Sequence, residues 1–291
     1  MPHTRHGPRQ IWLCADDYGI APGVNKAIRE LIALGRLNAT SVMVAAPHLD
    51  KDEASSLDHL NAGETRAAIG LHVTLTAPFT AVSPGYAPLR NGRFLPLPEM
   101  MRAAVARRLK VDALAIEITA QLRAFVDAFG RMPDFVDGHQ HVHLFPQVRD
   151  AFVKVVAELA PNSWVRQCGR ANSLRRLHDR KALVLDILSM AFRRRAERQG
   201  LATNPAFAGS YAFTPKAKFA KIFPRFLTGL PDGGLVMCHP GFVDAALESL
   251  DSLTTLREHE FAYFNSDAFL QALAKHGVAL AQPAGSGGAA A

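Results

Sequence analysis

Short apolar segments rich in β-branched residues alternate with longer helical patterns along the chain. The apolar segments predict strands at Ile11–Ala15, Ser41–Ala46, Ala68–Leu75, Asp134–Gly138, Trp164–Cys168, Gly234–Cys238 and Val278–Ala281. Helical spacing predicts helices at Gly23–Leu34, Leu97–Leu109, Ala113–Phe129, Gln147–Leu159, Leu174–Arg198, Ala217–Leu227 and Asp267–His276. About seven strands that alternate with helices imply a mainly parallel sheet, and that number is near the number in a barrel. The pattern alone also permits an open doubly wound sheet.

The length of the chain fits one domain. It has 291 residues, of which 48% are hydrophobic and 20% are charged, so the apolar material suffices for a sizeable core. A single α/β barrel takes roughly 250 residues, and no long Ser-, Gly- or Pro-rich run interrupts the pattern. We therefore predict one domain over residues 1–283 and a flexible tail over residues 284–291, which have little to bury.

The composition and the sequence motifs limit the cellular compartments and the classes of partner that we expect. No segment approaches the roughly 18 apolar residues of a membrane span, and Asp16-Asp17 interrupt the only candidate for a secretory signal. We therefore expect a cytoplasmic protein. Three cysteines, far apart in sequence, predict neither a disulfide framework nor a zinc ribbon. The net charge of +7 suits an anionic partner, but the chain has no recognisable nucleic-acid-binding motif, so we expect no nucleic acid partner.

Carboxylates and imidazoles follow four of the predicted strands. They lie in Asp16-Asp17, at His72, in Asp137-Gly138-His139-Gln140-His141-Val142-His143 and at His239. Taken singly, each has a plain structural explanation, since adjacent aspartates often cap a helix and a lone histidine is more often hydrogen-bonded than a ligand. Because the carboxyl ends of parallel strands meet at one end of a barrel, the four together predict a metal-centred active site.

Strand geometry limits which of these residues can share an ion. On an extended strand each step of two residues advances about 6.6 Å, whereas a metal–imidazole bond is about 2.1 Å long. One ion therefore binds only one of His139, His141 and His143, and the others orient that ligand or contact the substrate. The adjacent aspartates fit a similar division, in which one binds the ion and the other stays free as a base.

These motifs resemble those of the YdjC-like (ChbG/HpnK) carbohydrate deacetylases. The resemblance rests on Ala15-Asp16-Asp17-Tyr18-Gly19 followed by Pro22-Gly23-Val24-Asn25, on Gly70-Leu71-His72, on Asp137–His143, and on Met237-Cys238-His239-Pro240-Gly241-Phe242. It implies a TIM-barrel-like α/β fold, a distorted (β/α) barrel related to the polysaccharide deacetylases. It also implies a divalent ion, which we expect to be Mg²⁺ or Zn²⁺, and removal of an N-acetyl group from an amino sugar.

The resemblance also implies roles for individual residues. The residues that correspond to the metal ligands are Asp17, His72 and His139. Asp16 corresponds to the catalytic base that accepts a proton from metal-activated water, and His239 is the best counterpart of the catalytic acid. We expect the remaining candidates to contact the substrate: His141, His143 and Tyr18. The segment after Arg170 diverges from the chitooligosaccharide-specific branch, so the identity of the sugar, free or lipid-linked, stays open.

Two other functions stay open at this point. One is another metal-dependent barrel hydrolase, such as an amidohydrolase or a phosphoesterase, although the first strand lacks the His-x-His with which amidohydrolase barrels usually begin. The other is a carbohydrate- or lipid-headgroup-binding protein without turnover. An intact Asp16 argues against the second, because a binding protein needs no free base beside the ion.

The pattern at Leu174–Arg198 has two interpretations. A dense apolar patch is followed directly by Arg193–Arg195, which favours an ordinary barrel helix whose cationic end complements the helix dipole. The alternative is a helical lid that makes peripheral contact with a membrane and selects an amphiphilic acceptor. Homodimer formation is a further hypothesis that the sequence leaves open.

Overall fold

Strands and helices alternate in the computed structural model, which describes residues 7–63, 66–171 and 180–283. The strands are β1 (Arg9–Tyr18), β2 (Ala39–Val42), β3 (Ala68–Val73), β4 (Leu89–Arg90), β5 (Arg93–Phe94), β6 (Phe135–Gly138), β7 (Trp164–Val165), β8 (Phe207–Ala208), β9 (Leu235–Cys238) and β10 (Val278–Leu280). The helices are α1 (Pro22–Ala33), α2 (Lys51–Asp58), α3 (Leu97–Val105), α4 (Val111–Phe129), α5 (Val148–Leu159), α6 (Arg180–Arg198), α7 (Phe219–Leu227), α8 (Ala245–Leu250), α9 (Thr255–Phe264) and α10 (Asp267–Lys275). Short 3₁₀ segments cover His59–Ala62 and His139–Leu144. The predicted tail, residues 284–291, lies outside the described residues.

The main sheet is parallel and curves into a distorted (β/α) barrel, as predicted. Its strands lie in the order β7-β6-β3-β2-β1-β9-β8, and β10 pairs with the start of β1. Two hydrogen bonds outside the strand ladders connect the two edges of the sheet. The Val165 N–H of β7 donates to the Ala202 carbonyl, and the Phe207 N–H of β8 donates to the Gly169 carbonyl, both at 2.9 Å. The alternative of an open doubly wound sheet is therefore wrong.

Helices pack their apolar faces on the outside of this sheet. In α1 the buried residues include Val24, Ile28 and Leu31, which follow the helical spacing of the sequence. Gly70 in β3 shows how closely the strands are packed, because a Cβ at this position would lie 2.4 Å from the ring of Phe135. The tight core fixes the relative positions of the strand ends that carry the polar motifs.

The long connection from β3 to α4 carries the β4–β5 hairpin and α3, and two buried side chains of α4 hold it. The Glu117 carboxylate accepts hydrogen bonds from the Val82 and Ser83 N–H groups, at 3.0 and 2.8 Å. Gln121 bonds both backbone groups of Thr74, at 2.9 and 2.7 Å. These bonds fix the connection at the carboxyl end of β3, close to the polar motifs.

The helix predicted at Leu174–Arg198 is observed as α6 from Arg180, and residues 172–179 lie outside the described residues. Its Phe192 is fully buried, whereas Val184 and Ile187 are 53% and 52% exposed. One packed face therefore does not cover the whole apolar patch. Within the described ranges, no helix combines the length and the apolar character needed to cross a membrane.

Candidate active site

Asp16 and Asp17 lie where β1 becomes irregular. The pairing of β1 with β2 shifts register between Ala15 and Tyr18, and Asp17 has a left-handed backbone with φ of 70°. Adjacent residues on a regular strand point to opposite faces, and a bulge removes this constraint. Both carboxylates therefore reach the same end of the barrel, where each residue is only 2% exposed.

Three donor atoms from three strand ends converge next to this bulge. Asp17 Oδ1 lies 3.4 Å from His72 Nε2 and 2.9 Å from His139 Nδ1. The three buried residues offer ligand atoms that all lie within 4.8 Å of one another. Two imidazole nitrogens and one carboxylate oxygen form a donor set that suits zinc or another transition ion. The residues present therefore fit the divalent ion that the motifs imply.

A second set of contacts orients His72. Its Nδ1 lies 2.5 Å from Asp137 Oδ1 and 3.0 Å from Ser41 Oγ. An N–H at Nδ1 that donates to the carboxylate leaves Nε2 free to face Asp17, the arrangement typical of metal-binding histidines. Burial lowers the pKa of His72, but the neighbouring carboxylates of Asp137 and Asp17 outweigh burial and raise it to about 10. A metal ion that binds this ring would therefore have to displace a proton.

Arg166 joins the carboxylates of Asp16 and Asp137. It is fully buried, and its Nη1 lies 2.6 Å from Asp16 Oδ2 while its Nη2 lies 2.6 Å from Asp137 Oδ2. Asp16, His72 and Asp137 also have metal-ligand spacing, but both of these carboxylates already contact the Arg166 guanidinium. Burial raises the pKa of Asp16, yet Arg166 and His72 outweigh it and hold that pKa well below its usual range. Asp16 is therefore ionised at neutral pH and lies outside the first donor set.

A second buried arginine, Arg257, contacts Asp17. The Nη2 of the fully buried Arg257 donates to Asp17 Oδ2 and to Asp251 Oδ2, each at 2.6 Å. Burial raises the pKa of Asp17, but Arg257 and His139 outweigh burial and hold it well below its usual range. Because Oδ2 is occupied by the guanidinium, Oδ1 is the oxygen that Asp17 offers to an ion.

His239 follows β9 at the same end of the barrel. Its backbone N–H donates to Glu260 Oε2 at 2.6 Å, and its imidazole packs edge-to-face on Phe213, with 5.6 Å between ring centroids. The imidazole also contributes to the lowered pKa of Asp16, which is consistent with its position on the same side of the sheet. The strand ends thus bring together a ligand set, a separate carboxylate and a separate imidazole.

Comparison with known proteins identifies the family. A family model described as YdjC-like protein matches residues 10–275. The chain belongs to the YdjC-like family. A chitooligosaccharide deacetylase of Citrobacter koseri is 29% identical over 242 residues, which cover 81% of this chain and 83% of that protein. A chitooligosaccharide deacetylase of Proteus mirabilis is 27% identical over 271 residues, which cover 91% of this chain and 94% of that protein.

A solved structure has the same fold as this YdjC-like chain. It is named as a candidate cellobiose-phosphate cleavage protein of Enterococcus faecalis V583, and it superposes with a TM-score of 0.75 at 18% identity. The match covers 95% of this chain and 98% of that chain. The family and the fold class predicted from the motifs are both confirmed.

The histidine-rich YdjC-like motif does not have the extended backbone that the sequence argument assumes. His139–Leu144 is a 3₁₀ segment in which Gln140 and His141 have left-handed backbones, with φ of 54° and 58°. The assumption of a continuous strand is therefore wrong. The donor atoms nevertheless include only His139 from this motif, because the turn directs the other two imidazoles elsewhere.

The remaining predicted substrate contacts differ in their surroundings. His141 is partly exposed, with Nδ1 3.5 Å from Cys168 Sγ, and burial lowers its pKa to about 3, so its ring is neutral at physiological pH. His143 is fully buried, and its Nε2 lies 2.9 Å from the Arg166 carbonyl. Tyr18 is also fully buried, and its hydroxyl bonds Glu53. The structure therefore does not bring Tyr18 or His143 to the ligand set. Both side chains are buried, which does not support the prediction that they contact the substrate.

Sequence reasoning missed three charged residues of this YdjC-like site: Arg166, Arg257 and Glu260. One signal was available for Arg166, because it directly follows the apolar residues Trp164 and Val165 of a predicted strand. A charged residue in such a position is buried only with a partner. No comparable signal marks Arg257 or Glu260. Both lie on α9 among other charged residues, as on a solvent-exposed helix, and are nevertheless 0% and 1% exposed.

Proposed function

We propose that this YdjC-like chain is a metal-dependent carbohydrate deacetylase that hydrolyses the acetamide group of an N-acetylated amino sugar. One observation carries the proposal: an ionised carboxylate, Asp16, lies beside the donor set of Asp17, His72 and His139 without belonging to it. A site that only binds a ligand has no use for such a carboxylate. The names of the relatives, chitooligosaccharide deacetylases, support the same reaction class.

The proposed chemistry divides amide hydrolysis among separate groups. A divalent ion supplies Lewis-acid activation of water and of the amide carbonyl. Asp16 accepts the proton of the attacking water, while Arg166 fixes the position of its carboxylate. His239 donates a proton to the departing sugar amine, which is a poor leaving group in its unprotonated form. The proton acceptor and the proton donor follow the neighbouring strands β1 and β9, so both lie at the same end of the barrel, where one acetamide can contact them.

The donor set favours one of the two proposed ions. Mg²⁺ prefers oxygen ligands and keeps several waters, whereas imidazole suits Zn²⁺ and other transition ions. Asp17 contributes one oxygen, and His72 and His139 contribute one nitrogen each. We therefore place Zn²⁺ or another transition ion ahead of Mg²⁺.

The test is acetate release from a panel of N-acetylated sugars, with chelated protein and after addition of Zn²⁺ or Mg²⁺. We expect metal-dependent release by the wild type. Asp16→Asn should retain the metal and lower kcat roughly 10²- to 10⁴-fold, the usual contribution of one proton-transfer group. Asp127→Asn, at an exposed position of α4, is the matched control and should change neither.

Three outcomes would contradict the proposal. If the metal binds and sugars bind but no acetate is released from any of them, the chain is a carbohydrate-binding protein without turnover. If Asp16→Asn loses the metal, Asp16 is a ligand and not the free base. Release of phosphate from sugar phosphates in the absence of acetate release would instead support the phosphoesterase alternative.

A further inference from the structure

An exposed aromatic ring lies directly beside the proposed catalytic acid. Phe213 is 40% exposed, and its ring meets the His239 imidazole edge-to-face at 5.6 Å and an interplanar angle of 82°. Within the described ranges, no other Phe, Tyr or Trp is exposed to that extent. A single exposed apolar side chain is ordinary in itself. The position of this ring, in contact with a proposed catalytic imidazole, needs an explanation.

The backbone brings the loop of Phe213 to the site at a glycine. Gly209, just after β8, has φ of 111°, and a Cβ there would lie 2.2 Å from the Met237 carbonyl oxygen of β9. Only glycine permits this close approach of the two backbone segments. The loop therefore leaves β8 pressed against β9, the strand that His239 follows.

The buried carboxylate of Glu260 connects the loop of Phe213 to the backbone of His239. Tyr211 packs against Phe213 with 4.2 Å between ring centroids, and its hydroxyl donates to Glu260 Oε1 at 2.7 Å. The other oxygen of Glu260 accepts a hydrogen bond from the backbone N–H of His239 at 2.6 Å. One side chain that is 1% exposed thus anchors both the aromatic loop and the backbone of His239. Phe213 therefore lies on a loop that is tied to the backbone of His239, and its ring contacts both Tyr211 and the His239 imidazole.

We propose that Phe213 is the platform on which a sugar ring of the substrate packs, and that it selects acetylated sugars over other acetylated compounds. The proposal rests on the proposed function. The amide nitrogen that His239 protonates is bonded directly to a sugar ring, so that ring must lie next to the residues around His239. One face of a pyranose presents C–H groups, which an aromatic ring can cover without stripping water from hydroxyl groups.

The test compares two acetyl donors that differ in the sugar ring. One is N,N′-diacetylchitobiose, and the other is N-acetylethanolamine, an acyclic acetamide whose leaving amine needs the same proton. Phe213→Ala should lower the ratio of kcat/KM for the sugar to kcat/KM for the acyclic amide by roughly 10- to 100-fold, the range for one lost apolar contact in a specificity pocket. Phe213→Tyr, which keeps the ring, should restore most of the ratio.

The control is Leu270→Ala, which removes an apolar side chain that is 44% exposed on α10. It should leave the ratio unchanged. An unchanged ratio in Phe213→Ala, in a protein that does deacetylate the sugar, would overturn the platform and leave the proposed function standing. Equal losses on both donors would also overturn it, because they indicate damage to His239 or to the loop.

Binding separates this inference from the failure of the proposed function. Saturation-transfer NMR on Asp16→Asn should detect N,N′-diacetylchitobiose, and the double variant Asp16→Asn, Phe213→Ala should weaken the binding by a similar factor. If the wild type releases no acetate but the sugar binding depends on Phe213, the platform stands without the deacetylase. If the sugar binds equally to both variants, or to neither, the platform is refuted.

Discussion

Asp137 is outside the proposed donor set, yet its replacement should weaken metal binding. Its Oδ1 lies 2.5 Å from His72 Nδ1, and its Oδ2 lies 2.6 Å from Arg166 Nη2. Asp137→Asn keeps the shape of the side chain and removes its charge. The amide can still accept one hydrogen bond, but its NH₂ group must then face a second donor. The His72 ring loses the charged acceptor that fixes its tautomer and increases the basicity of Nε2.

The expected magnitude follows from this contact. Loss of a carboxylate partner of a metal-binding histidine typically costs 10- to 100-fold in metal affinity, or about 1.4–2.7 kcal/mol at 1.36 kcal/mol per tenfold change. Asp137 is fully buried, so solvent does not replace the lost charge. Removing one partner of a buried ion pair costs roughly 3–5 kcal/mol when the other charge is left alone. Because Arg166 keeps Asp16, we expect the loss of stability to fall below that range.

Isothermal titration of Zn²⁺ into chelated protein measures the affinity, and thermal unfolding of the same samples measures the stability. Asp127→Asn again serves as the control for a lost surface charge. A folded Asp137→Asn protein with unchanged Zn²⁺ affinity would refute the reasoning, because His72 would then need no carboxylate to act as a ligand. Complete loss of folded protein would show that the ion pair with Arg166 dominates, and the milder Ser41→Ala, which removes the 3.0 Å contact to His72 Nδ1, would then test the same orientation.

Two further changes test the division of roles. His139→Ala should abolish both bound metal and turnover, whereas His143→Ala should keep the metal, as measured by elemental analysis. His143→Ala should also lose about 2–4 kcal/mol of stability, because it empties a core position between Phe152 and Phe192. Equal metal loss in both variants would contradict the ligand assignment. His239→Ala should impair hydrolysis of an N-acetyl sugar far more than that of trifluoroethyl acetate, whose leaving group needs no proton, and equal impairment would show that His239 is not the acid.

Periodic patterns predict most of the long elements of the fold. They miss the short elements and also the ten-residue helix α9, whose buried residues include the charged Arg257 and Glu260. The strands that line the barrel and helices such as α1 and α4 carry enough apolar positions to be recognised. The helices α2 and α8 are eight and six residues long, with few buried residues, so their periodicity is weak. Their local signal is the N-cap, since Asp50 accepts the Glu53 N–H and Asp244 accepts the Leu247 N–H. The two-residue strand β8 has too few positions for any pattern.

The candidate ligands could be predicted because each follows its own strand, and parallel strands end together. The ion pairs of the arginines could not, because no pattern in the sequence matches Arg166 with Asp16, 150 residues away, or Arg257 with Asp17, 240 residues away. The exclusion of His143 was reached with a wrong premise, an extended backbone. Left-handed residues such as His141 direct the imidazoles apart, and no periodicity argument detects a reversal of this kind.

The charges of the buried cluster explain how two adjacent aspartates can hold different roles at one pH. Two carboxylates in one site normally raise the pKa of one of them, but here Arg166 lies beside Asp16 and Arg257 lies beside Asp17, and both pKa values are lowered. Arg166 also pairs with Asp137 and Arg257 with Asp251, so four carboxylates face two arginines and negative charge is in excess. In the metal-free protein this excess favours a proton on His72, whose pKa is raised to about 10. A divalent cation beside Asp17 would balance the same charge, and Asp16, whose two oxygens accept hydrogen bonds from Arg166 at 2.6 and 2.7 Å, would stay ionised and outside the donor set.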